Sequence, residues 1–375
     1  MTRRLTRRAF HATSATIGAG TLSEMLRVPC FENSAGAEQK DDKAKHVAGI
    51  SADMPWQRQE LPVLSSTTMR FDWCKTYCHS PHVVRTTDGY RMYFIGQTRT
   101  GESWTIKDLM GFVIGTATSK DGLNWEAHPH PVLTHDQVPW GAFGLQTPHV
   151  LWDEDEQLFK LWFAGYTEWI YRKGVGALEY TARLGYATSA DGIRWDVYPE
   201  PIFESARRPC VHKEERGAYR MWMNARPSRK DHWSSLYQNV YEFRSADGIQ
   251  WKRSDKPVLR ASTLHRKGCI YPFVCREQGR YFLWYCAYPK REIGGFQIYL
   301  AESEDGTNWL NHDSQSAFPT SNDRTRFDSI YVSTPCVLVE PNRYLLYYSA
   351  VSWTHREKGS YYQHIGVAVC PRGSA

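Results

Sequence analysis

The heptapeptide SADGIRW at residues 189–195 recurs almost letter for letter as SADGIQW at 245–251. Two further copies keep the pattern S-x-D-G-x-x-W, namely SKDGLNW at 119–125 and SEDGTNW at 303–309. Self-similarity of this kind is typical of repeat architectures. We expect each copy to form a hairpin turn, in which Asp-Gly supplies the backbone geometry and the Trp packs between neighbouring units.

Each copy belongs to a longer unit of four strand-like segments. The unit begins at an x-Pro pair with two runs rich in β-branched and aromatic residues, joined by a short charged or Gly/Pro-containing turn. A third run precedes the repeated turn and a fourth follows it. The paired first runs occupy residues 80–96, 147–165, 208–225, 271–287 and 334–350. Five such units predict an all-β fold, a five-bladed β-propeller of four-stranded antiparallel blades.

The last unit lacks a fourth strand, because it ends at HIGVAVC (364–370) without a copy of the repeat. The segments that follow the repeat Trp in the first three units place a Pro six residues after that Trp, as in WDVYPEPIF (195–203). The stretch WQRQELPVL (56–64) has the same step near the start of the chain. We therefore expect an N-terminal strand to close the last blade, which leaves no long exposed sheet edge.

The first residues are typical of a targeting segment. Arg7 and Arg8 precede Phe10 and a run of small, weakly apolar residues, and AGA at 35–37 fits a cleavage site. The sequence predicts a twin-arginine export signal at 1–37, a linker at 38–53 and the propeller at 54–375, and hence a periplasmic or extracellular protein. A disordered basic leader is the alternative.

Composition excludes several classes of function. Aromatic residues make up 14% of the 375 residues, and no apolar run approaches the roughly 18 residues of a membrane span. The net charge is +6, but residues 1–30 hold five Arg and one Glu, which leaves about +2 for the rest. Without a lysine-rich run, this balance gives no support to a nucleic-acid partner.

The cysteines and histidines do not follow metal-ligand spacings. The nine cysteines include no C-x-x-C pair, and no H-E-x-x-H occurs, so we predict neither a catalytic metal nor a cofactor. We expect the cysteines to be small buried hydrophobic residues. A disulfide between Cys269 and Cys286, opposite each other in a hairpin, is the alternative. The sequence leaves the oligomeric state open.

The functional face should carry the long loops between second and third strands, since these share one face with the x-Pro starts. The loops span residues 97–110, 166–183, 225–238, 288–295 and 352–362, and their charges sum to +5. The aromatic residues in them include Trp104, Trp169, Tyr171, Trp233 and Trp353, and the basic residues nearby are Arg207, Arg208, His265, Arg266 and Lys267. Because rings stack on sugars and guanidinium groups bind oxyanions, this mouth suits a sulfated or uronate-containing saccharide.

The five-bladed plan with S-x-D-G-x-x-W turns resembles the glycoside hydrolases of families 43, 32, 62, 117 and 130, among them arabinanases, levansucrases and invertases. The resemblance covers residues 54–370. It implies a carbohydrate substrate and a site on the propeller axis. Family 43 and 32 enzymes have Asp before the Pro in blades one and two, and Glu two residues before the Pro in blade three. These acids supply the proton donor and the base or nucleophile.

This sequence departs from that pattern at every position. The residues before Pro are Ser80, Thr147, Arg208, Tyr271 and Thr334, and those two before it are His79, Gln146, Arg207, Ile270 and Ser333. None is acidic, so the mechanism of families 43 and 32 does not carry over.

Other acids are candidates for the two carboxylates. RFDW (70–73) and RFDS (326–329) place Asp72 and Asp328 just ahead of the inner strands of blades one and five, and Glu204 lies similarly ahead of blade three. Glu168 and Glu179 are further candidates in the long blade-two loop. For substrate binding we expect side chains at or near the x-Pro starts and in the long loops. They are Arg207, Arg208, His79, Trp73, Gln146, Tyr271, Trp169 and Trp353.

His82 and His149 occupy equivalent positions one residue after the inner Pro, which predicts a shared packing role. A polar ring that binds substrate or donates a proton is the alternative. The leading hypothesis is an exported glycoside hydrolase-like protein acting on an anionic poly- or oligosaccharide. A catalytically inactive carbohydrate-binding propeller is the second, and a glycoside phosphorylase the third.

Overall fold

The computed structural model describes residues 48–97, 111–172, 177–204, 206–214, 217–225, 239–260, 262–289, 295–353 and 363–373; the side chains of 167–181, 206, 266 and 267 are not described. The predicted export signal (1–37) lies outside these ranges, as does most of the predicted linker.

The strands form five antiparallel sheets, which are the blades of the predicted five-bladed β-propeller. Blade one contains β3 (Tyr77–Thr86), β4 (Gly89–Gln97), β5 (Val113–Ser119) and β6 (Glu126–Ala127). Blade two contains β7 (Gly144–Asp153), β8 (Leu158–Arg172), β9 (Ala177–Ser189), β10 (Asp196–Val197) and β11 (Phe203–Glu204). Blade three contains β12 (Ala206–Lys213), β13 (Tyr219–Ala225), β14 (Val240–Ser245) and β15 (Lys252–Arg253).

Blade four contains β16 (His265–Glu277), β17 (Arg280–Pro289), β18 (Gln297–Ser303) and β19 (Leu310–His312). Blade five contains β20 (Tyr331–Val339), β21 (Arg343–Val351) and β22 (His364–Pro371), together with β1 (Gln57–Arg58) and β2 (Leu64–Ser65). Short 3₁₀ segments lie at Asp72–Cys74, His135–Gln137 and Pro139–Gly141. No helix among the described residues has the length and apolar character needed to cross a membrane.

The N-terminal strand closes blade five, as predicted. Gln57 and Arg58 pair antiparallel with Val369 and Ala368 of β22, and β2 pairs with the same strand further along. Trp56 packs edge-on against Trp284 of blade four, with ring centroids 5.9 Å apart. Trp56 thus takes the place of the repeat Trp in the blade that has no S-x-D-G-x-x-W copy.

The repeated turns join neighbouring blades. In the copy at 245–251, the Ser245 hydroxyl oxygen accepts the Gly248 N–H at 2.9 Å, and the Asp247 carboxylate accepts the next two backbone N–H groups at 2.9 and 2.7 Å. Gly248 has φ of +76°, which favours glycine. Its carbonyl accepts a hydrogen bond from the indole of Trp162 in the preceding blade, at 2.8 Å. The same inter-blade bond joins Tyr347 to Gly122, Tyr93 to Gly192 and Trp222 to Gly306. The prediction that these letters specify the fold is confirmed.

A second set of inter-blade bonds, which we call the acid–tyrosine pairs, lies on the same face. The fifth residue after the inner Pro is acidic in blades two to five, and its carboxylate accepts a hydrogen bond from the Tyr that opens the second strand of the next blade. The pairs are Asp153–Tyr219, Glu214–Tyr281, Glu277–Tyr344 and Glu340–Tyr90. We refer to this side, which carries the short turns, as the turn face, and to the side of the x-Pro starts as the axial face.

The described cysteines are buried and free. Ile270, and not Cys269, lies opposite Cys286, so the proposed disulfide between Cys269 and Cys286 is wrong. With Ile270 in that position, Cys269 is offset from Cys286 by one residue along β16. The prediction of small buried hydrophobic residues is confirmed, and burial raises the thiol pKa of Cys269.

Candidate functional site

The five x-Pro pairs form five equivalent bulges on the propeller axis. In each inner strand the register shifts at this pair, for example between His79 and His82 in blade one. The residue before Pro has a left-handed backbone in all five blades, a conformation that non-glycine residues seldom adopt. The values of φ are +55° for Ser80, +50° for Thr147, +63° for Arg208, +56° for Tyr271 and +49° for Thr334. Bulges of this kind redirect side chains and recur next to active sites.

The bulged segments converge on a pocket of about 40 Å³ at the axis. Its walls are the five residues before Pro, the five prolines and the rings of His82, His149 and Phe273. A ligand pocket normally has a volume of a few hundred Å³. A ligand larger than this pocket would therefore lie above it, against the side chains at its mouth on the axial face.

Neighbouring side chains hold two of the strained bulges in place. The Ser349 hydroxyl oxygen accepts the Ser80 N–H at 2.8 Å. The Asn224 side chain accepts the Tyr271 N–H at 3.1 Å and donates to the Cys269 carbonyl at 2.9 Å. Sequence analysis missed both residues. The signal was a polar residue followed by Ala near the end of a second strand, in NA (224–225) and SA (349–350).

Arg207 and Arg208, consecutive residues of β12, are both buried, with 8% and 6% of their surface exposed. The Arg208 guanidinium lies over the Tyr271 ring, 3.8 Å from its centroid. Arg207 donates to the Tyr166 hydroxyl at 2.9 Å, and that hydroxyl donates to the Gln146 side chain at 2.9 Å. Both guanidinium groups are thus oriented by phenol rings, and four of the predicted binding residues are brought together here.

His79 is the fifth predicted binding residue at this mouth. Its ring lies 6.0 Å from the Tyr271 ring and 5.4 Å from that of Tyr77, and its Nδ1 is 2.8 Å from the Ser80 hydroxyl. Burial lowers its pKa to about 3, and the charge of Arg208 adds to this effect. His79 is therefore neutral near pH 7. Tyr77 and Tyr166 were missed, because nothing in the sequence marks a Tyr in a first or second strand as axial.

His82 and His149, which line the axial pocket, pack between blades, as the equivalence of their positions predicted. His82 Nε2 lies 2.8 Å from the Val150 carbonyl oxygen and His149 Nε2 2.8 Å from that of Val211, each in the next blade. Their ring centroids are 4.0 Å apart. Burial lowers the pKa of His82 to about 4 and lowers that of His149 well below its usual value.

The structure does not bring Asp72 and Asp328 together. Asp72 lies in a surface 3₁₀ segment, where its side chain is 84% exposed and pairs with Lys75. Asp328 is fully buried between Arg58 at 2.8 Å and Arg326 at 3.1 Å, and accepts a hydrogen bond from Tyr348 at 2.9 Å. Asp328 thus anchors the closing strand β1 within blade five. The sequence-based assignment of these two residues as a pair of carboxylates is corrected on this geometry.

Glu204 and Trp73 are also placed away from the axis. Glu204 belongs to β11 on the outer edge of blade two, not to blade three, and pairs with Arg183 at 3.0 Å. Trp73 lies flat on blade one over two glycines, Gly96 and Gly115, whose lack of a side chain makes room for it. Its role is packing, since a Cβ on either glycine would come within 2.5 Å of the Trp73 ring.

The remaining predicted residues lie at or beyond the edge of the described chain. Trp353 is half-buried under the Arg324 guanidinium, 5.3 Å from its ring centroid. His265 is buried against Tyr299 at 4.4 Å and so does not line the rim. The side chains of Trp169, Glu168, Glu179, Arg266 and Lys267 and the residues Trp104 and Trp233 lie outside the described part of the protein. The predicted loop 166–183 is largely a hairpin, because β8 and β9 continue to Arg172 and Ala177.

The described part of the axial pocket is cationic and hydroxylated. No carboxylate is among the residues that line it, and within the described chain no group of three or more His, Cys, Asp or Glu could hold a metal ion. Such a surface can bind an oxyanion and hydrogen-bond to sugar hydroxyl groups. A general acid or base would have to come from elsewhere.

Comparisons with known proteins agree with this fold. No protein-family model matches the chain. It is similar to the uncharacterized protein Rv1502 of Mycobacterium tuberculosis, with 26% identity over 309 residues that cover 79% of this chain and 95% of that protein. The uncharacterized protein MT1551 of a second strain matches to the same extent.

Solved structures with similar folds include glycoside hydrolases. A complex of BT0996 with RGII has a TM-score of 0.64 at 17% identity, covering 86% of this chain and 94% of the other. A thermostable family-43 glycoside hydrolase has a TM-score of 0.58 at 14% identity, covering 80% and 94%. A third structure comes from the GH130 family of mannoside phosphorylases, which contains glycoside hydrolases that target β-1,2 mannosidic linkages in Candida mannan. It has a TM-score of 0.62 at 16% identity, covering 88% of this chain and 98% of the other. These structures define the class of fold: a five-bladed β-propeller of the kind found in glycoside hydrolases.

Proposed function

We propose that this protein binds an anionic oligo- or polysaccharide, carrying carboxylate or sulfate groups, at the axial face of the propeller. The observation that carries the proposal is the pair of buried guanidinium groups of Arg207 and Arg208, held beside the axis by Tyr166 and Tyr271. A planar guanidinium matches the geometry of a carboxylate or sulfate, and pre-orientation reduces the entropy lost on binding.

The rest of the mouth suits a sugar ring that bears such a group. Neutral His79 and the hydroxyl groups of Ser80 and Thr334 can exchange hydrogen bonds with sugar hydroxyls. The rings of Tyr77 and Tyr271 flank His79 and offer apolar faces. Glycoside hydrolases with the same fold support a carbohydrate ligand in general.

The test is binding of purified mature protein to labelled neutral, uronate-containing and sulfated oligosaccharides. Wild type is compared with Arg207→Met and Arg208→Met, which remove the charge but keep most of the side-chain length. Arg183→Met is the matched control, because Arg183 pairs with Glu204 at the outer edge of blade two. We expect anionic probes to bind wild type and the control, and to lose about 30-fold in affinity, equivalent to 2 kcal/mol, in either axial variant. Equal affinity in all four proteins would refute the proposal.

Hydrolysis of the bound glycan is the second candidate function. Two observations favour it: the glycoside hydrolase fold and the long β8–β9 hairpin, which carries two acids. In its register, Glu168 lies opposite Thr181 and Glu179 lies opposite Ile170, so the acids are two register positions apart across the two strands. A pair of carboxylates is what glycoside hydrolysis requires.

Product release from the glycan that binds best tests this second function. Hydrolysis predicts new reducing ends in wild type, their loss in Glu168→Gln or Glu179→Gln, and unchanged binding in both variants. Release that requires added phosphate would identify a phosphorylase instead. Binding without release would leave the protein as a carbohydrate-binding propeller.

We also propose export by the twin-arginine route, on the strength of Arg7, Arg8 and the AGA segment at 35–37. Replacing both arginines by lysine should retain the full-length chain in the cytoplasm, whereas the native chain appears outside it with its N-terminus removed. Identical localisation of the two forms would argue against this route.

A further inference from the structure

A groove of about 1210 Å³ lies on the turn face, between blades one and two. It is far larger than the axial pocket and opens on the opposite side of the propeller. Aromatic side chains from both blades line it, with Tyr90 and Trp125 from blade one and Trp152 and Phe159 from blade two. All four are partly exposed.

The groove lies at the one blade interface that lacks an acid–tyrosine pair. At the other four interfaces the carboxylate and the phenol bridge the two blades. Between blades one and two, Thr86 stands at the acid position and Phe159 at the Tyr position. Both partners are therefore replaced at the same interface. Loss of either alone would have left a polar group without its usual partner, whereas loss of both opens the interface cleanly.

An aromatic platform replaces the missing bridge. Trp152 contacts Phe159 with ring centroids 4.7 Å apart, and the Arg91 guanidinium lies 5.6 Å from the Phe159 centroid. The residues equivalent to Trp152 in the other blades are Arg85, Lys213, Arg276 and Val339, none of them aromatic. Of the five blades, only blade two has an aromatic residue, the partly exposed Trp152, at this position of the repeat.

The charges around the platform nearly cancel. Three basic side chains, Arg85, Arg91 and Lys120, line the groove together with four acidic ones, Asp88, Asp121, Glu126 and Glu154. Such a lining does not select an anion, in contrast to the axial mouth. It offers donors and acceptors on either side of flat rings, which is the surface that hydroxyl groups and the apolar C–H face of a neutral sugar require.

We propose that this groove is a second carbohydrate-binding site, which takes a neutral segment of an oligo- or polysaccharide chain. The choice of a saccharide as ligand rests on the proposed function of the axial face. The two sites lie on opposite faces, so one chain would need to pass around the edge of the propeller to reach both. We therefore expect them to bind independently.

The test uses labelled neutral hexasaccharides of glucose, mannose, arabinose and galactose, with the full mature protein. Trp152→Ala removes the platform, and Thr86→Glu with Phe159→Tyr rebuilds the acid–tyrosine pair that the other four interfaces contain. Arg276→Ala is the matched control, since Arg276 is the equivalent of Trp152 in blade four. Fluorine NMR of 5-fluorotryptophan protein, with the Trp152 resonance assigned by Trp152→Phe, reports contact directly.

At least one neutral hexasaccharide should bind wild type and Arg276→Ala and shift the Trp152 resonance. Both groove variants should lose at least tenfold in affinity for it and keep full affinity for anionic probes. The proposal of a second site would be overturned by any of three results. The groove variants could still bind the neutral hexasaccharide, Arg208→Met could lose that binding, or wild type could bind none of the neutral hexasaccharides. Failure of the proposal for the axial face would be recognised separately, because Arg207→Met and Arg208→Met would then bind the anionic probes as tightly as wild type.

Discussion

Asp328→Asn is the substitution that best separates structure from chemistry in this protein. Asp328 is inaccessible to solvent and is held by Arg58, Arg326 and Tyr348, so the carboxylate links the N-terminal strand to blade five. Asparagine keeps the shape but removes the charge that balances two arginines. Their side chains are only 18% and 21% exposed, so they cannot be fully rehydrated in place.

Breaking a buried ion pair costs about 3–5 kcal/mol, and we take about 3 because both arginines retain some contact with water. For a domain of this size that corresponds to a fall in Tm of roughly 4–5 °C. Thermal unfolding of wild type, Asp328→Asn and Asp72→Asn measures it, with the exposed Asp72 as the control that should leave Tm unchanged. Glycan binding at low temperature, where both variants are folded, should match wild type. An unchanged Tm in Asp328→Asn with binding or cleavage lost would refute the structural role of this residue.

Three further predictions concern the repeat and the axis. Burial lowers the pKa of His82 from its usual 6.5 to about 4, so the stability that neutral His82 contributes is complete above pH 6.5 and is lost as the pH falls towards 4, by up to about 3 kcal/mol. The fall in Tm between pH 6.5 and 4.5 should therefore be smaller in His82→Gln than in wild type. An identical dependence of Tm on pH in the two proteins would contradict this. Gly248→Ala should lower the free energy of unfolding by about 1–2 kcal/mol because of its positive φ. In denaturant titration the loss should exceed that of Gly217→Ala, since a Cβ at residue 248 would lie 3.1 Å from Trp162, whereas a Cβ at residue 217 would have no atom within 4 Å. Equal losses in the two variants would exclude a contribution from the Trp162 contact. Tyr344→Phe removes the hydrogen bond to Glu277 and should lower the free energy of unfolding by only about 1 kcal/mol, because Glu277 keeps its bonds to Arg372 and to the Ile50 N–H. A loss near zero in the same titration would show that the acid–tyrosine pairs do not stabilise the blade interfaces.

The fold could be predicted from the sequence because its determinants are local. An Asp-Gly turn needs only its own seven residues, and the five x-Pro units fix the number of blades. The closing strand was also predictable, since WQRQELPVL (56–64) keeps the Trp-to-Pro spacing of the fourth strands in blades one to three. These features depend on backbone geometry and strand periodicity, which the sequence states directly.

The site was only partly predictable, because contacts across blades are not local. Residues next to the x-Pro pairs, such as Arg207, Arg208 and Tyr271, were found since the bulge always points them at the axis. Asp72 and Asp328 share the motif R-F-D yet have opposite environments, one on the surface and one sealed by Arg58 from the far end of the chain. Nothing in a three-residue motif records which distant arginine will meet it.

The acid–tyrosine pairs show a similar limit. An acid five residues after Pro and a Tyr opening the next blade's second strand are visible in the sequence once their partnership is known. The partnership itself follows from the stacking of blades, which places residues about 65 apart in contact, as in Asp153 and Tyr219.

The most direct test of the central claim is a calorimetric titration of the mature protein with an oligogalacturonate hexamer and with its fully methyl-esterified form. The two probes share ring, linkage and length, and differ in that each carboxylate is replaced by an uncharged methyl ester. If Arg207 and Arg208 recognise an anionic saccharide, the charged hexamer binds wild type, weakens with added salt and loses about 30-fold in Arg208→Met, while the ester binds none of these proteins at the axis. Equal binding of both hexamers, unaffected by Arg208→Met, would contradict the account.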